Sequence, residues 1–326
     1  MHKERAIAIG GSSGSIAALK QIIPLLPEDL PAAIFVVVHV GTYGSNLLGD
    51  ILDSAGPLSV ATAVDGEPTE TGRVYVAPAD RHLLVIDGII RLGRGPRENM
   101  SRPSIDALFR SVAFSYGSGA IGLVLTGNLN DGAAGLASIK QRGGLTAVQN
   151  PADAEAPDMP LGALEASDID YRAPLADLAD LITAMAHEPT GSEPAIRREL
   201  ELEVDIALGR PCLTETIAEI ADVAPLSCPD CGGTLSQLKR PPLRFRCQVG
   251  HAYSANALAH QHEGSIDEAV RVALRIVEER AVLAERMARE AKTAARTHAH
   301  EDYLGKAAEL RASAKVLRAA ALRLMS

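Results

Sequence analysis

Tryptophan is absent from this 326-residue chain, and aromatic residues make up only 3% of it. With so few ring faces, a surface on which unpaired bases stack is not expected. The net charge of −9 argues against a broadly basic face for a nucleic-acid backbone, so no nucleic-acid partner is expected. No apolar run reaches the length of a membrane span, so no membrane insertion is expected either. The opening Met1-His2-Lys3-Glu4-Arg5 runs straight into an apolar segment with no secretory leader, which predicts a cytoplasmic location. Cysteine is scarce: only positions 212, 228, 231 and 247 carry it. In a reducing compartment such a cluster suits a metal site better than a set of disulfides.

Apolar runs alternate with amphipathic runs through roughly the first 190 residues. Ala6–Ile9, Ala33–Val38, Arg73–Ala77, Ala120–Thr126 and Leu145–Gln149 read as strands. Leu83–Ile86 and Ile89–Leu92 form a hairpin around Asp87-Gly88, a dipeptide suited to a type I′ turn. Helices are predicted over Ile16–Ile23, over Asn46–Leu52, from Pro103 to about Ser115, and over Ala133–Arg142. Repeated strand–helix units imply an α/β fold, a doubly wound, mostly parallel sheet covered on both faces.

The chemistry gathers at predicted strand ends. Gly10-Gly11-Ser12-Ser13-Gly14 joins the first strand to its helix, and a hydroxyl there would sit in the positive field of the helix start. A dinucleotide loop fits badly, because Ser12 stands where a second glycine is needed. His39 follows the second strand, and Asp131 follows Ala120–Thr126. Ligands of open parallel sheets bind outside those carboxyl ends, so Ser12, His39 and Asp131 can meet as nucleophile, base and orienting carboxylate. Each also has a bland reading: Ser12 and Ser13 as helix caps, His39 bonded to a carbonyl, Asp131 capping the helix at Ala133. Their joint placement favours the functional one.

Gly10–Gly14, His39, Ala77-Pro78-Ala79-Asp80-Arg81-His82, Arg102–Phe109, Leu125-Thr126-Gly127 with Asn130-Asp131-Gly132-Ala133, and Met159-Pro160 occur in that order. Together they resemble the catalytic domain of the CheB family, the chemotaxis receptor methylesterases, over about residues 4–187. The resemblance implies a serine hydrolase that demethylates glutamate methyl esters on the cytoplasmic helices of methyl-accepting chemoreceptors and deamidates some of their glutamines. It implies Ser12 as nucleophile, His39 as base, Asp131 as orienting carboxylate, and no cofactor for catalysis. Ser13 and Asn128 would line the oxyanion and substrate loop, and Arg102 would face glutamate-rich receptor helices. Two departures stand out. Asn128-Leu129 replaces the family's common Met-Gly, and the catalytic strand begins so near Met1 that no receiver domain is expected before it.

A composition shift at His187–Pro194 reads as a linker. Beyond it, Cys228-Pro229-Asp230-Cys231 is followed, after a spacer of fifteen residues, by Cys247-Gln248-Val249-Gly250-His251. A C-x₂-C pair and a C-x₃-H pair suit four-coordinate structural zinc, with Cys228, Cys231, Cys247 and His251 as ligands and Cys212 outside the set. Two amphipathic, alanine-striped helices follow, with a break expected near Thr297–Asp302 and self-association through them as one expectation. The expected organisation is thus a catalytic domain over 1–187, a linker over 188–210, a small zinc-ribbon-like module over 211–255 and an α-helical hairpin over 256–326. On this reading the ribbon unfolds without zinc while the Ser12 site survives, and truncation near Pro189 leaves a small-ester hydrolase. The competing readings are a non-catalytic adaptor that keeps the hydrolase fold and an esterase for another protein or a small ester. The intact trio of Ser12, His39 and Asp131 favours the receptor esterase.

Overall fold

The structure is a computed structural model that describes residues 4–39, 47–54, 56–211 and 213–324. The chain alternates β1 (Arg5–Gly11), α1 (Ser15–Ile22), β2 (Ala32–Val38), α2 (Leu48–Asp53), β3 (Ser59–Thr62) and β4 (Arg73–Val76), then makes a hairpin of β5 (His82–Ile86) and β6 (Ile89–Gly93). It continues through α3 (Ile105–Tyr116), β7 (Ala120–Val124), α4 (Ala133–Gln141), β8 (Leu145–Gln149), α5 (Asp158–Ala166), β9 (Tyr171–Ala173) and α6 (Leu178–His187). Seven of these strands form one sheet in the order β3-β4-β2-β1-β7-β8-β9, and each neighbouring pair runs parallel. The chain winds outward from β1 through β2 and then returns to its other side at β7. That reversal opens a crevice at the carboxyl ends of β1 and β7.

Every residue of β1, β2 and β7 is buried, as strands covered on both faces require. On one face Leu19, Ile22, Leu52, Ile182 and Met185 pack over Ile7, Ile9 and Ile34. On the other, Phe109, Val112, Leu136 and Met159 pack over Ala8, Phe35 and Val124. The β5–β6 turn has Asp87 at φ 50° and Gly88 at φ 71°, the left-handed pair a type I′ turn needs. The predicted helix at 46–52 is α2; Asn46 itself lies outside the described residues.

The segment expected to be a linker, 188–210, carries α7 (Arg198–Leu208). Leu200 and Val204 of α7 join the same core as Phe109 and Leu136. After α8 (Thr214–Ile220), the strands β10 (Ala221–Ser227), β11 (Thr234–Leu238), β12 (Arg244–Cys247) and β13 (Ala252–Ser254) form an antiparallel sheet in chain order. This ribbon belongs to one compact unit with the parallel-sheet layer, a unit that runs through Leu258. The reason is a seam of buried charge. Arg244 and Arg246 of β12 reach Glu203 of α7 at 2.6 and 2.8 Å, Arg246 also reaches Glu98 at 3.3 Å, and Glu98 pairs with Arg110 of α3.

A second unit begins at Ala259 and holds most of α9 (Ala255–Thr293) and all of α10 (Thr297–Leu324). The break falls at 294–296, with Ala295 at φ 56°, a few residues before the predicted position. Arg311–Glu285 and Arg318–Glu278 pairs fix an antiparallel register. Buried Ala281, Ala284, Ala288, Ala307 and Ala314 mark the close-packed seam. Cys212 lies outside the described residues.

Candidate active site

Ser12, His39 and Asp131 follow the carboxyl ends of β1, β2 and β7, three neighbours in the sheet. The His39 backbone N–H donates to Gly11 O at 3.2 Å, and the Ser12 N–H donates to Thr126 O at 3.0 Å. These two bonds tie all three loops together. The glycines before Ser12 are needed for close approach, not for a turn. Both lie within β1, and a Cβ on Gly10 would stand 2.1 Å from Ile105 Cγ2. Gly14, at φ 80°, makes the turn and is the N-cap of α1. No side chain caps that helix, so the capping reading of Ser12 and Ser13 does not hold. The Ser12 carbonyl accepts the Ser15 N–H and hydroxyl, while the Ser12 hydroxyl has no hydrogen bond among the described residues.

His39 Nε2 and Asp131 Oδ2 are 2.8 Å apart, with the imidazole side chain 20% exposed and the carboxylate 2%. Nδ1 has no hydrogen bond among the described residues. No hydrogen bond links Ser12 Oγ to the imidazole among the described residues, so the expected contact is not closed. Such contacts often tighten only around substrate.

Asp131 does not cap the helix at Ala133, whose N-cap is Gly132. It lies instead across the start of α3. Its oxygens accept the Ile105 N–H at 2.7 Å, the Asp106 N–H at 3.3 Å, the Ser104 hydroxyl at 2.9 Å and Asn99 Nδ2 at 2.9 Å. Burial alone would push this carboxyl up. The His39 contact, Asn99 and the helix N–H groups outweigh it and hold the carboxyl ionised, below its ordinary value. His82 is fully buried and accepts the Ser104 N–H at Nδ1 (3.2 Å) while its Nε2 donates to Pro96 O (2.9 Å). It thereby sets the residue that donates to Asp131.

A second buried carboxylate, Asp106, shares the Asn99 amide at 3.0 Å and accepts the Gly135 N–H at 2.6 Å. Burial and the charge on Asp131 raise Asp106 to about 7. Carboxyls of an unfolded chain ionise near about 4. Between those values the folded chain holds the extra proton, so stability is greatest below the window and falls as pH rises through it. Asp106→Asn should flatten that fall when denaturant stability is compared at about pH 4.5 and about pH 7.5; an unchanged difference would speak against a protonated Asp106.

The loop facing Ser12 is built tightly. Asn128 Nδ2 donates to Ser13 Oγ at 3.0 Å, and Thr126 Oγ1 donates to Ser13 O at 3.0 Å. Leu129 has φ 61°, a conformation that glycine adopts at lower cost. The backbone thus keeps a glycine-like turn at the position where this chain carries leucine. A Cβ on Gly127 would stand 2.0 Å from Met159 Sδ and 2.9 Å from Ser12 Cβ. The methionine can swing away, but Ser12 is fixed to its loop. Gly127→Ala should therefore displace Ser12 and cost about 10²-fold in ester turnover with little loss of melting temperature; unchanged turnover would show that the loop adjusts freely.

Arg102, expected at the mouth of the site, has its guanidinium committed elsewhere. Nε and Nη2 donate to Asp80 Oδ1 at 3.0 and 2.7 Å, and Nη1 donates to Gly95 O at 2.9 Å. The pairing holds Asp80 below its ordinary carboxyl value.

Away from the sheet edge, Cys228, Cys231, Cys247 and His251 place their ligand atoms within 4.8 Å of one another. Gly232 at φ 71° and Gly250 at φ 104° shape the two turns that carry them. Cys231 Sγ to Cys247 Sγ is 3.7 Å, and His251 Nδ1 lies 3.5 and 3.8 Å from Cys247 and Cys228. A tetrahedral ion with sulfur and nitrogen ligands has edges of about 3.8 and about 3.5 Å, so these residues fit a metal ion. Burial and the neighbouring Cys228 push the Cys247 thiol up to about 12, a penalty that a bound cation would relieve.

Comparison with known proteins follows the same lines. The profile of the CheB methylesterase family matches residues 7–182. A Leptospira interrogans protein is 41% identical over 177 residues, which cover 54% of this chain and 92% of that one. The protein-glutamate methylesterase/protein-glutamine glutaminase of Symbiobacterium thermophilum is 37% identical over 185 residues, 56% of this chain and 51% of that one. The crystal structure of the Thermotoga maritima CheB methylesterase catalytic domain superposes with a TM-score of 0.53 at 32% identity, covering 56% of this chain and 98% of that domain.

Proposed function

The chain belongs to the CheB methylesterase family, and from that membership we propose that it is a serine hydrolase that demethylates glutamate methyl esters, and deamidates glutamines, on the cytoplasmic helices of chemoreceptors. The observation that carries this reading is the His39–Asp131 pair, 2.8 Å apart at the carboxyl end of β2, the strand next to the one that leads into Ser12. In the proposed reaction Ser12 Oγ attacks the side-chain ester carbonyl and its proton passes to His39 Nδ1. Asp131, on the far side of the ring, keeps the imidazole oriented and steadies the imidazolium. The N–H groups of Ser13 and Asn128, which have no backbone acceptor among the described residues, are the candidates to receive the oxyanion. His39 then returns the proton to the departing methoxide, releasing methanol. Water, deprotonated by His39, attacks the acyl-enzyme carbonyl, and the imidazolium gives that proton to Ser12 Oγ as the C–Oγ bond breaks, leaving glutamate and the free hydroxyl. With glutamine in the site the leaving group is ammonia.

Cys228, Cys231, Cys247 and His251 are assigned to one structural zinc ion with no open position, so it takes no part in the chemistry. No helix among the described residues is long and apolar enough to cross a membrane, which suits an enzyme that meets its receptors from the cytoplasm. The test is methanol release from methylated receptor membranes by the wild-type chain and by Ser12→Ala. Release that is equal in both, or absent in both, would refute the reading.

A further inference from the structure

Ser254 of the ribbon lies more than a hundred residues after Asp131, yet one side chain touches both. Asn99 receives the Ser254 N–H on its Oδ1 at 2.8 Å. On its other side, Nδ2 donates to Asp131 Oδ1 at 2.9 Å and to Asp106 Oδ2 at 3.0 Å. The Asn99 backbone N–H donates to Ala252 O at 2.8 Å, and the Ala252 N–H donates to Arg97 O at 3.3 Å. The Ser254 hydroxyl also donates to Asn130 Oδ1, one residue from Asp131. β13, which makes these contacts, begins immediately after His251, one of the four candidate metal ligands.

We propose that a zinc ion bound by Cys228, Cys231, Cys247 and His251 holds Asp131 in its working position through β13 and Asn99, so that esterase competence depends on metal loading of the ribbon. Asn99 is a positioning residue in this scheme. The proposal rests on the hydrolase reading above for its consequence in turnover, but not for the coupling itself.

Three physical points support it. First, only one orientation of the Asn99 amide satisfies its surroundings. The ionised Asp131 on one side needs the NH₂ group, and the Ser254 N–H on the other needs the carbonyl. Loss of that N–H frees the amide to rotate, and a rotated amide would turn its carbonyl on Asp131. Second, Asn99 and Met100 have φ of 49° and 65°, two consecutive non-glycine residues in the left-handed region. L side chains adopt this conformation only when their surroundings impose it. The two-residue turn closed by the Glu98 N–H to Ser101 O (3.2 Å) and the Ser101 N–H to Glu98 O (2.9 Å) sets it, and the bonds to Ala252 and Ser254 dock that turn on the ribbon. Third, the ribbon core is small, with Leu235, Phe245, Tyr253 and Leu258 as its main apolar members. A sheet of this size depends on its metal for a fixed shape. On this proposal the Ser12 site is not indifferent to the ribbon, and the two expectations part at the experiment below.

The experiment uses the full-length chain. Metal content is measured as purified, after stripping with a chelator, and after return of zinc. Two readouts follow each state: the low-field N–H proton resonance of His39 Nε2 against Asp131, and turnover of a small neutral ester. Stripping one equivalent of zinc is expected to shift or erase the resonance and lower kcat at least about tenfold, and zinc should restore both. Metal-loaded Asn99→Ala should show the altered resonance and the lower kcat already, and stripping it should add less than about a further twofold. If stripping unfolds the whole chain, metal-loaded Asn99→Ala decides: an unaltered resonance there overturns the proposal. It is equally overturned if no metal binds, if the stripped protein keeps resonance and turnover, or if the two losses simply multiply. A resonance that follows the metal in a protein with no ester turnover would sink the hydrolase reading and support the coupling.

Discussion

Ser12→Ala should reduce methanol release by about 10⁴-fold or more while leaving the melting temperature unchanged. The hydroxyl has no hydrogen bond among the described residues, so its removal leaves no buried partner stranded and stability should stay within about 0.5 kcal/mol. Asp131→Asn should be comparably inactive, by about 10⁴-fold, but for a different reason and with a different side effect. An amide facing His39, Asn99 and the α3 N–H groups would set a donor against donors. The imidazole would lose its orienting anion, and α3 would lose an acceptor for its first turn. A stability loss of about 1–3 kcal/mol should accompany the loss of activity. Calorimetry beside the methanol assay separates the two cases. A destabilised Ser12→Ala, or an Asp131→Asn as stable as wild type, would contradict this account of the site.

The difference between these variants also marks what was legible from sequence. β1, β2 and β7 are buried on both faces and read as unbroken apolar runs, so their ends, and with them Ser12, His39 and Asp131, could be placed in advance. Edge strands β3 and β9 are short and partly exposed, and their alternation is too brief to register. α7 was hidden by its charges. Glu203 is buried in the seam and Glu199 largely so, where they face Arg244 instead of water. A helix whose inner face carries carboxylates looks like a solvated linker. The groups that hold Asp131 were hidden by distance: Asn99 sits in an irregular turn and Ser254 in the ribbon. Ser104, Ile105 and Asp106 fell inside a recognised motif, but nothing local assigns them to a carboxylate that lies after β7. Nor does anything local announce the partner of Arg102, because Asp80 lies 22 residues earlier in the chain.

Glu203→Gln should be the most destabilising single change at the seam, by about 3–5 kcal/mol. Glu203 is 2% exposed and contacts Arg244 at 2.6 Å, Arg246 at 2.8 Å and Arg110 at 3.9 Å. With Glu98 it forms a cluster of two carboxylates and three guanidiniums, all nearly buried. Neutralising Glu203 leaves the three guanidiniums with Glu98 and, at the edge of the cluster on Arg244, Glu199 at 3.2 Å, with the Nε atoms of Arg110, Arg244 and Arg246 already lacking partners. Water cannot reach in to compensate, and added salt screens so buried a group weakly. For a unit of this size the loss corresponds to a fall in melting temperature of roughly 10 °C, with the ribbon loosening from α7 first. The pH dependence has a definite sign. Burial would raise the Glu203 carboxyl, but Arg244, Arg110 and Arg246 hold it well below its ordinary value. Its contribution is therefore complete above the unfolded-state value of about 4.3 and fades as pH falls towards the lower folded-state value. The gap between wild type and Glu203→Gln should be full at neutral pH, persist in moderate salt, and narrow in acid. Calorimetric melts showing a gap below about 1 kcal/mol at neutral pH, or one that widens in acid, would mean that the cluster does not join the ribbon to the catalytic layer in this way.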